Sequence, residues 1–315
     1  MKDVLYIVIP AYNEEEIIAD SIEIISDKLK KLIKIKKVNR NSKILIVDDG
    51  SQDNTFKILK SICASNKLIS IIKLSRNCGH QSAMYAGLME SIIDADMVIS
   101  MDADLQDDIN VIDKMIEEYY KGNDIVYGVR NDRKSDSFFK EKSAILFYKF
   151  MSFLGVDIIY NHADFRLMSK RSLEALSRYE ETNLFLRGII PMLGFKSSKV
   201  YYSRKKRIGG LTKYNLNKMI KLAMDGVTSF SIRPIRLIIG IGFISSFMSF
   251  LYLIYVIVGK LMNFNYVTGW ASIVALICCF GSFQILCSGV IGEYISKIYL
   301  ETKRRPKYIF EDKIK

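Results

Sequence analysis

Two long uncharged segments near the C-terminal end restrict the fold of this chain more than any other feature. Residues 237–259 and 261–292 contain no charged side chain, and only Lys260 separates them. An α-helix rises 1.5 Å per residue, so about 20 apolar residues cross the ~30 Å hydrocarbon core of a bilayer. Lys260 and the turn-like residues 262–265, at the start of the second segment, would connect two helices. The segments therefore predict a two-helix transmembrane hairpin rather than two buried core helices.

Basic residues flank this hairpin at both ends. They are Arg233 and Arg236 before it, and Lys297, Lys303, Arg304, Arg305 and Lys307 after it. The positive-inside rule therefore predicts a multi-pass protein of the inner or plasma membrane, with the large N-terminal part and both termini in the cytoplasm. The formal net charge of +12 gathers beside the membrane-flanking segments, so it favours a membrane over nucleic acid as the partner.

The first 135 residues alternate between strand and helix patterns. Strands are expected at 4–9, 43–47, 70–74, 96–101 and 124–127, and helices at 14–36, 55–64, 81–93 and 110–120. Such alternation predicts an α/β fold with a mostly parallel, Rossmann-like sheet covered by helices. Sheets of this kind bind ligands at the carboxyl ends of their strands, where the polar motifs of this chain fall.

Two of these motifs follow the first two strands. Residues 10–16 read Pro-Ala-Tyr-Asn-Glu-Glu-Glu, which predicts a capping box with Asn13 as the N-cap and Glu16 three positions on. Tyr12 offers a flat ring that can pack on a base. Residues 48–51 read Asp-Asp-Gly-Ser, either an Asp-Gly turn or a carboxylate that accepts hydrogen bonds from a uracil or a ribose.

The third motif carries two carboxylates after the fourth strand. In an extended backbone Asp102 and Asp104 point to the same side. Two neighbouring carboxylates repel each other, and Mg²⁺ or Mn²⁺ bound by carboxylate and substrate phosphate oxygens would neutralise them. The alternative is a solvated acidic turn that leads into a helix near Asp107.

Several other classes of protein are disfavoured. The five cysteines show no CxxC spacing, which argues against a disulfide framework or a structural zinc site. Residues 209–213, Gly-Gly-Leu-Thr-Lys, lack the preceding strand and the residue order of a phosphate-binding P-loop. His80 follows Arg76-Asn77 and is a candidate for the border of a donor pocket, although a lone histidine is more often structural.

The order of the motifs resembles a known family. PAYNE, DDGSQDNT, RNCGHQSAMYAGL and MDADLQDD together resemble the family 2 glycosyltransferases, which have a GT-A fold. The downstream ADFRLMSKRSLEAL, RKKRIGGLTKYN and SFSIRPIR, followed by two apolar segments, narrow the resemblance. They are similar to polyprenyl-phosphate glycosyltransferases such as bactoprenol glucosyltransferases and dolichyl-phosphate mannose synthases.

The resemblance implies roles for individual residues. It implies that Pro10, Tyr12, Glu14 and Asp49 hold the nucleotide, and that Asp102, Asp104 and Gln106 surround Mg²⁺ or Mn²⁺ and the donor diphosphate. It further implies that Arg130, Arg207 and Lys213 contact the diphosphate or the acceptor phosphate, and that Asp164 lies near the sugar. The expected catalytic residues are Asp104, Asp164, Arg207 and Lys213.

The implied activity is a metal-dependent, inverting transfer of a sugar from a nucleotide sugar to a polyprenyl phosphate such as undecaprenyl phosphate. UDP-glucose is the first choice of donor, ahead of UDP-GlcNAc, UDP-aminoarabinose and GDP-mannose. A lipid monophosphate has its second pKa near ~6 and is largely a dianion at neutral pH, so it needs little help from a general base. Asp164 is therefore expected to act first as a positioning or electrostatic residue, and only second as a base. The same resemblance also implies that the chain can form a homo-oligomer.

Two alternatives remain open at this point. A processive polysaccharide synthase would carry a Gln-x-x-Arg-Trp motif in its cytosolic part, but the only tryptophan here is Trp270 in the second apolar segment. A non-enzymatic membrane protein that binds sugar nucleotides is the other.

Four regions are expected along the chain. Residues 1–135 form the nucleotide-sugar half of the catalytic domain, and 136–232 form the acceptor half, with amphipathic interface helices over 137–156 and 215–232. Residues 233–293 form the hairpin, and 294–315 a basic cytoplasmic tail.

Overall fold

The computed structural model describes residues 2–131, 162–182, 184–203, 231–262 and 269–314. These residues fall into two compact units. The first takes in the described residues up to 203 together with those from 305 onwards, and the second takes in the described residues from 231 to 304. The residues after 304 thus belong by their contacts to the first unit.

The first unit contains eight strands and six helices among the residues that the structure describes. The strands are β1 (Leu5–Ala11), β2 (Lys43–Asp48), β3 (Ile69–Leu74), β4 (Met97–Ser100), β5 (Ile125–Arg130), β6 (His162–Ser169), β7 (Ser197–Tyr202) and β8 (Phe310–Ile314). The helices are α1 (Ile18–Lys34), α2 (Thr55–Ser65), α3 (His80–Ser91), α4 (Val111–Tyr120), α5 (Lys170–Ser177) and α6 (Leu186–Met192).

The strands form one sheet in the order β7-β5-β6-β4-β1-β2-β3-β8. β1 pairs in parallel with β2 and β4, β2 with β3, and β5 with β7. β6 runs antiparallel between β4 and β5, and β8 runs antiparallel along β3. All seven residues of β1 are buried, as expected for a strand covered on both faces. The mostly parallel α/β sheet predicted from the sequence is confirmed.

Helix α1 follows its predicted apolar pattern but not its predicted start. Its buried side chains Ile18, Ile22, Ile25, Leu29 and Leu32 recur at helical spacing and face the sheet.

The expected capping box at the start of this helix is wrong. The N-cap is Ile17, which makes no side-chain cap. Asn13 has a φ of 52° instead, and its side-chain oxygen accepts a hydrogen bond from the Gln52 N–H at 2.9 Å. The side-chain oxygen of Asn13 therefore bonds to the loop after β2 instead of capping the start of α1.

Close packing at one glycine sets the position of α3 on the sheet. A Cβ atom on Gly87 would lie 2.4 Å from Val8 Cγ1 and 2.8 Å from Val47 Cγ2. Both neighbours are β-branched and have little rotamer freedom, so neither can withdraw easily. The absence of a side chain at Gly87 lets α3 approach β1 and β2 closely, which places the first residue of α3, His80, at the carboxyl ends of these strands.

The C-terminal segment is a strand rather than a free tail. β8 pairs with β3, and two ion pairs accompany it, Lys313 with Glu90 at 2.7 Å and Lys73 with Glu311 at 2.9 Å. β8 is the outermost strand on this side of the sheet, and its charged residues Glu311, Asp312 and Lys313 discourage pairing of the edge with other chains. The expected basic tail over 294–315 is corrected accordingly, because residues up to 302 continue a helix and residues 310–314 complete the sheet.

The second unit consists of α7 (Arg233–Leu261) and α8 (Trp270–Thr302). Many of its apolar side chains are exposed; Phe243, for example, is 75% exposed. Among the described residues one helical stretch, Arg233–Tyr252, has the length and apolar composition to cross a membrane, with a mean hydropathy of 1.7. The expected hairpin of two spans is therefore not confirmed. The amphipathic segments expected at 137–156 and, but for its last two residues, at 215–232 lie outside the described residues.

We expect Gly87→Ala to lower the free energy of unfolding by about 1–3 kcal/mol, because the added methyl group overlaps the two valines. Thermal unfolding of the detergent-purified chain, followed by circular dichroism, measures the effect. Val8→Ala removes the nearer obstacle, so Gly87→Ala should cost less in that background than in the wild type. An equal cost in both backgrounds would contradict the packing argument.

Candidate active site

The loops after β1 and β2 hold each other in place. The Asn13 N–H donates to Ser51 Oγ at 3.0 Å, and the Glu14 N–H donates to Thr55 Oγ1 at 2.9 Å. In return Asn13 Oδ1 accepts from the Gln52 N–H. The first two polar motifs of the sequence therefore form one interlocked structure at the carboxyl ends of neighbouring parallel strands.

The four residues expected to hold a nucleotide all lie in or beside this structure. Pro10 is on β1 opposite Val47 of β2, and Tyr12 follows β1 and is half-buried. Glu14 and Asp49 lie in the two loops. Their binding of a nucleotide stays a prediction.

The Asp49 carboxylate also has a structural task. Its two oxygens accept hydrogen bonds from the backbone N–H groups of Cys78, at 2.7 Å, and Gly79, at 2.9 Å. Burial raises the pKa of Asp49, although these two amides oppose the shift. Gly50 has a φ of 68°, and a Cβ there would lie 2.7 Å from the Arg76 backbone. The Asp-Gly sequence thus fixes the segment that leads into α3.

Asp48, at the end of β2, is fully buried. Its Oδ2 has no hydrogen-bond partner within the described part of the chain, and burial raises its pKa. Asp48 is one of the two carboxylates at 48–49 of which one was expected to accept hydrogen bonds from a uracil or a ribose, and the resemblance gave a role to Asp49 alone.

The loop that carries Asp102 and Asp104 follows β4 and is fixed from two sides. Ser21 Oγ on α1 donates to the Ala103 carbonyl at 2.6 Å, and the Gln106 N–H donates to Asp104 Oδ1 at 3.2 Å. The structure therefore brings together the three residues expected to bind a metal ion, Asp102, Asp104 and Gln106, in one short and braced loop.

The electrostatics of Asp102 fit a cation in this loop. Its Oδ1 atom is buried and has no hydrogen-bond partner among the described residues. Burial, together with the negative charges of Asp164, Asp107 and Asp104, raises the pKa of Asp102 to about 6, while His80 opposes the shift. A carboxylate in such surroundings lacks positive charge, and a divalent cation would supply it.

The described residues contain no group of three or more His, Cys, Asp or Glu side chains arranged to hold a metal ion. A cation at Asp102 and Asp104 would therefore complete its oxygen ligands from a bound phosphate compound or water. Mg²⁺ commonly binds in this way, with one or two carboxylates plus substrate phosphates.

Asp164, on β6, is held by two arginines. Arg166 Nη2 lies 2.5 Å from Oδ1, while Arg187 donates to Oδ1 from Nε at 3.2 Å and to Oδ2 from Nη2 at 2.9 Å. Gln81 Nε2 adds a contact with Oδ2 at 3.4 Å. Burial alone would raise the pKa of Asp164, but Arg187, His80 and Arg166 hold it well below its usual range. Such a carboxylate stays ionised and is a weak base.

Sequence reasoning gave no role to Arg166, Arg187 or Gln81. Asp164 and Arg166 are two residues apart on one strand and so share a face, a signal that was present in the sequence. Arg187 comes from α6 and Gln81 from α3, and no local pattern connects either residue with Asp164. Arg166 is only 1% exposed, so its charge depends on Asp164 for compensation.

His80 lies between the two acidic positions. Its Nε2 atom is 3.5 Å from Asp102 Oδ1 and 3.6 Å from Asp164 Oδ2. Burial would lower the pKa of His80, but Asp164 and Asp102 together raise it. The histidine that the sequence analysis considered for the border of a donor pocket thus lies beside the predicted metal ligands.

Arg130, at the end of β5, is engaged by a different carboxylate. Its Nη2 lies 3.2 Å from Asp107 Oδ1 and its Nε lies 3.3 Å from Tyr202 Oη, which itself donates to Asp107. Asp107 is 3% exposed. The expected contact of Arg130 with a phosphate stays a prediction. Arg207 and Lys213, also expected at this site, lie outside the described residues.

Comparisons with known proteins agree with this arrangement. A family model described as "Glycosyl transferase family 2" matches residues 6–177, which is more than half of the chain. The match spans β1 to α5 and so includes all three acidic motifs and Asp164.

Related sequences extend over nearly the whole chain. The uncharacterized glycosyltransferase YkoT of Bacillus subtilis (strain 168) is 49% identical over 310 residues, which cover 98% of this chain and 92% of that protein. The bactoprenol glucosyl transferase of Shigella phage SfX is 37% identical over 308 residues, 98% of each chain.

Among solved structures, glucosyl-3-phosphoglycerate synthase from Mycobacterium tuberculosis, in complex with Mn²⁺, UDP and phosphoglyceric acid, is a more distant neighbour. It is 15% identical, with a TM-score of 0.45, over 72% of this chain and 76% of that one. A likeness of this degree says nothing about the substrates of this chain.

The family match, the full-length relatives and the mostly parallel sheet with its acidic strand ends lead to one assignment. The sheet is the GT-A α/β fold expected from the sequence, and the non-enzymatic alternative is set aside. The chain belongs to glycosyl transferase family 2 and is a glycosyltransferase.

Proposed function

We propose that this glycosyltransferase moves a sugar, with inversion, from a nucleotide diphospho-sugar to a polyprenyl phosphate at the cytoplasmic face of a membrane. The SfX relative, a bactoprenol glucosyl transferase, aligns with 98% of the chain and therefore also with its apolar helical part. The name of that relative supports a bactoprenol-type acceptor, which we take to be undecaprenyl phosphate. The same name and the motifs support UDP-glucose as the donor.

The observation that carries the proposal is the acidic centre at the end of β4. Asp102 Oδ1 is buried, accepts no hydrogen bond from the described residues and lies in a region crowded with carboxylates, which fits a site for a cation and a phosphate compound. Asp102 and Asp104, with Gln106 beside them, would hold Mg²⁺ or Mn²⁺. Bound there, the metal would supply positive charge for the diphosphate that leaves the sugar.

Asp164 enters the proposal as a fixed charge rather than as a base. Two arginines keep it ionised, and a lipid phosphate dianion already carries the negative charge that it needs to attack the anomeric carbon. Asp164 would orient the sugar by accepting hydrogen bonds from its hydroxyl groups. Arg130, Arg207 and Lys213 remain the proposed contacts for the phosphates.

The helical second unit supports a membrane location. The stretch Arg233–Tyr252 has the composition of a span, and α8 also carries exposed apolar side chains, among them Ile277 and Ile285. Both helices would then lie in the membrane, and the acceptor phosphate would lie at the level of the lipid headgroups.

The test of the proposed reaction uses the full chain in detergent with undecaprenyl phosphate and radiolabelled nucleotide sugars. We expect label from UDP-glucose to enter the lipid fraction in the presence of Mg²⁺ or Mn²⁺ and not after chelation with EDTA. UDP-GlcNAc, GDP-mannose and UDP-aminoarabinose serve as competing donors. Transfer that needs no divalent ion, or that produces a polysaccharide instead of a glycolipid, would refute the proposal.

Asp104→Asn should lower kcat for this transfer by about 10²- to 10³-fold, because the amide removes one negative charge that holds the cation. The matched control is Asp27→Asn on α1, an exposed carboxylate paired with Lys30 at 3.1 Å, which should leave the rate unchanged. Initial rates at saturating donor measure both variants. Equal rates for the two variants would remove Asp104 from the site.

Asp164→Asn should destabilise the protein by about 3–5 kcal/mol, because it leaves the buried Arg166 guanidinium without its anion. Arg187→Met should cost much less, since Arg187 is one-third exposed and Asp164 keeps Arg166 as a partner. Thermal midpoints of the two variants test this order. The reverse order would contradict the argument that the buried Arg166 guanidinium depends on the Asp164 carboxylate.

A further inference from the structure

His80 occupies the gap between the metal-binding loop and the arginine-held carboxylate. Its single Nε2 atom lies within 3.6 Å of an oxygen from each side, Asp102 Oδ1 and Asp164 Oδ2. Two carboxylates that face each other in a partly buried site repel, and a cation could bridge them. The imidazole fills this gap and offers an N–H group in place of a bridging ion.

The fold does not require the imidazole to form the start of α3. Asp49 already binds the backbone N–H groups of Cys78 and Gly79, and the Ala83 N–H bonds to the Gly79 carbonyl at 3.0 Å. The close contact at Gly87 holds the middle of the same helix against the sheet. The side chain of His80, which is 45% exposed, is therefore available for a functional task.

We infer that His80 is a positioning residue, which contacts Asp102 Oδ1 from the side of Asp164 and so holds the Asp102 carboxylate in the orientation that binds a divalent cation shared with Asp104. The inference rests on the proposed function, which places that cation at Asp102 and Asp104. Hydrogen-bond donors behind a metal-binding carboxylate fix its orientation, and their loss commonly weakens metal affinity by about 10- to 100-fold. At 3.5 Å the contact of His80 Nε2 with Asp102 Oδ1 is not a hydrogen bond in this structure, and contacts of this kind often shorten in the loaded site.

Two other roles for His80 make different predictions. An imidazole that touches the sugar or the acceptor would affect kcat at saturating metal and leave metal affinity unchanged. A purely structural imidazole would affect the thermal midpoint instead. A direct measurement of metal binding separates the three roles.

The experiment measures Mn²⁺ binding to the full chain in detergent, in the presence of UDP, by electron paramagnetic resonance. We expect His80→Ala to raise the Mn²⁺ dissociation constant about 10- to 100-fold. His80→Gln should recover a large part of the affinity, because its amide N–H can reach the position of Nε2. The thermal midpoint of each variant should stay within a few degrees of the wild type.

Gln81→Ala is the matched control. Gln81 is the next residue on α3 and contacts Asp164 at 3.4 Å and the Leu186 N–H at 3.3 Å. Its loss should leave the Mn²⁺ dissociation constant unchanged. In a second measurement, transfer by His80→Ala should approach the wild-type kcat when Mn²⁺ is raised to saturation.

The outcomes separate this inference from the function on which it rests. Wild-type Mn²⁺ affinity in folded His80→Ala overturns the positioning role while leaving the proposed function intact. The same is true if Gln81→Ala weakens Mn²⁺ binding as much as His80→Ala does. Failure of the wild type to bind Mn²⁺ with UDP overturns both proposals.

Discussion

The ion cluster around Asp164 is the interaction on which the site depends. Asp164 and Arg166 are almost fully buried in β6, the antiparallel strand between β4 and β5, and Arg187 reaches the same carboxylate from α6. Removing charges from water costs several kcal/mol per ion, which only good geometry offsets. The cluster is therefore stable only when β6, α6 and α3 are all in place, and the active site forms only with the complete domain.

The carboxylates of Asp102 and Asp104, after the end of β4, are the opposite case. The positive side chains among the described residues do not fully balance their negative charge. Asp102 has a buried oxygen that accepts no hydrogen bond from the described residues, and burial and neighbouring carboxylates raise the pKa of Asp102 to about 6. Asp164, a short distance away, has two guanidinium groups, and His80 lies between the two. The charge of Asp164 is thus already neutralised by arginines of the protein, whereas the surroundings of Asp102 are suited to a cation.

The sequence predicted β1 to β5, because these strands are apolar runs that reflect burial in the sheet, but it did not predict β6, β7 or β8. It also located the acidic motifs, since polar residues directly after parallel strands must collect at one edge of the sheet. The prediction from the sequence failed where a residue or segment bonds to a distant part of the chain instead of to its local neighbours. Asn13 bonds to Gln52 instead of capping α1, and residues 310–314, which were expected to belong to a basic cytoplasmic tail over 294–315, pair with β3.

The chain by itself determined the α/β class, the family and the loop that carries Asp102 and Asp104, because these depend on local patterns and on motif order. Only the tertiary structure decided which charges meet. Arg187 is 23 residues from Asp164, His80 is 22 residues from Asp102, and each pair is brought together by the packing of a helix on the sheet. Electrostatic interactions depend on distance in space and on burial, and neither can be read from the spacing of residues along a chain.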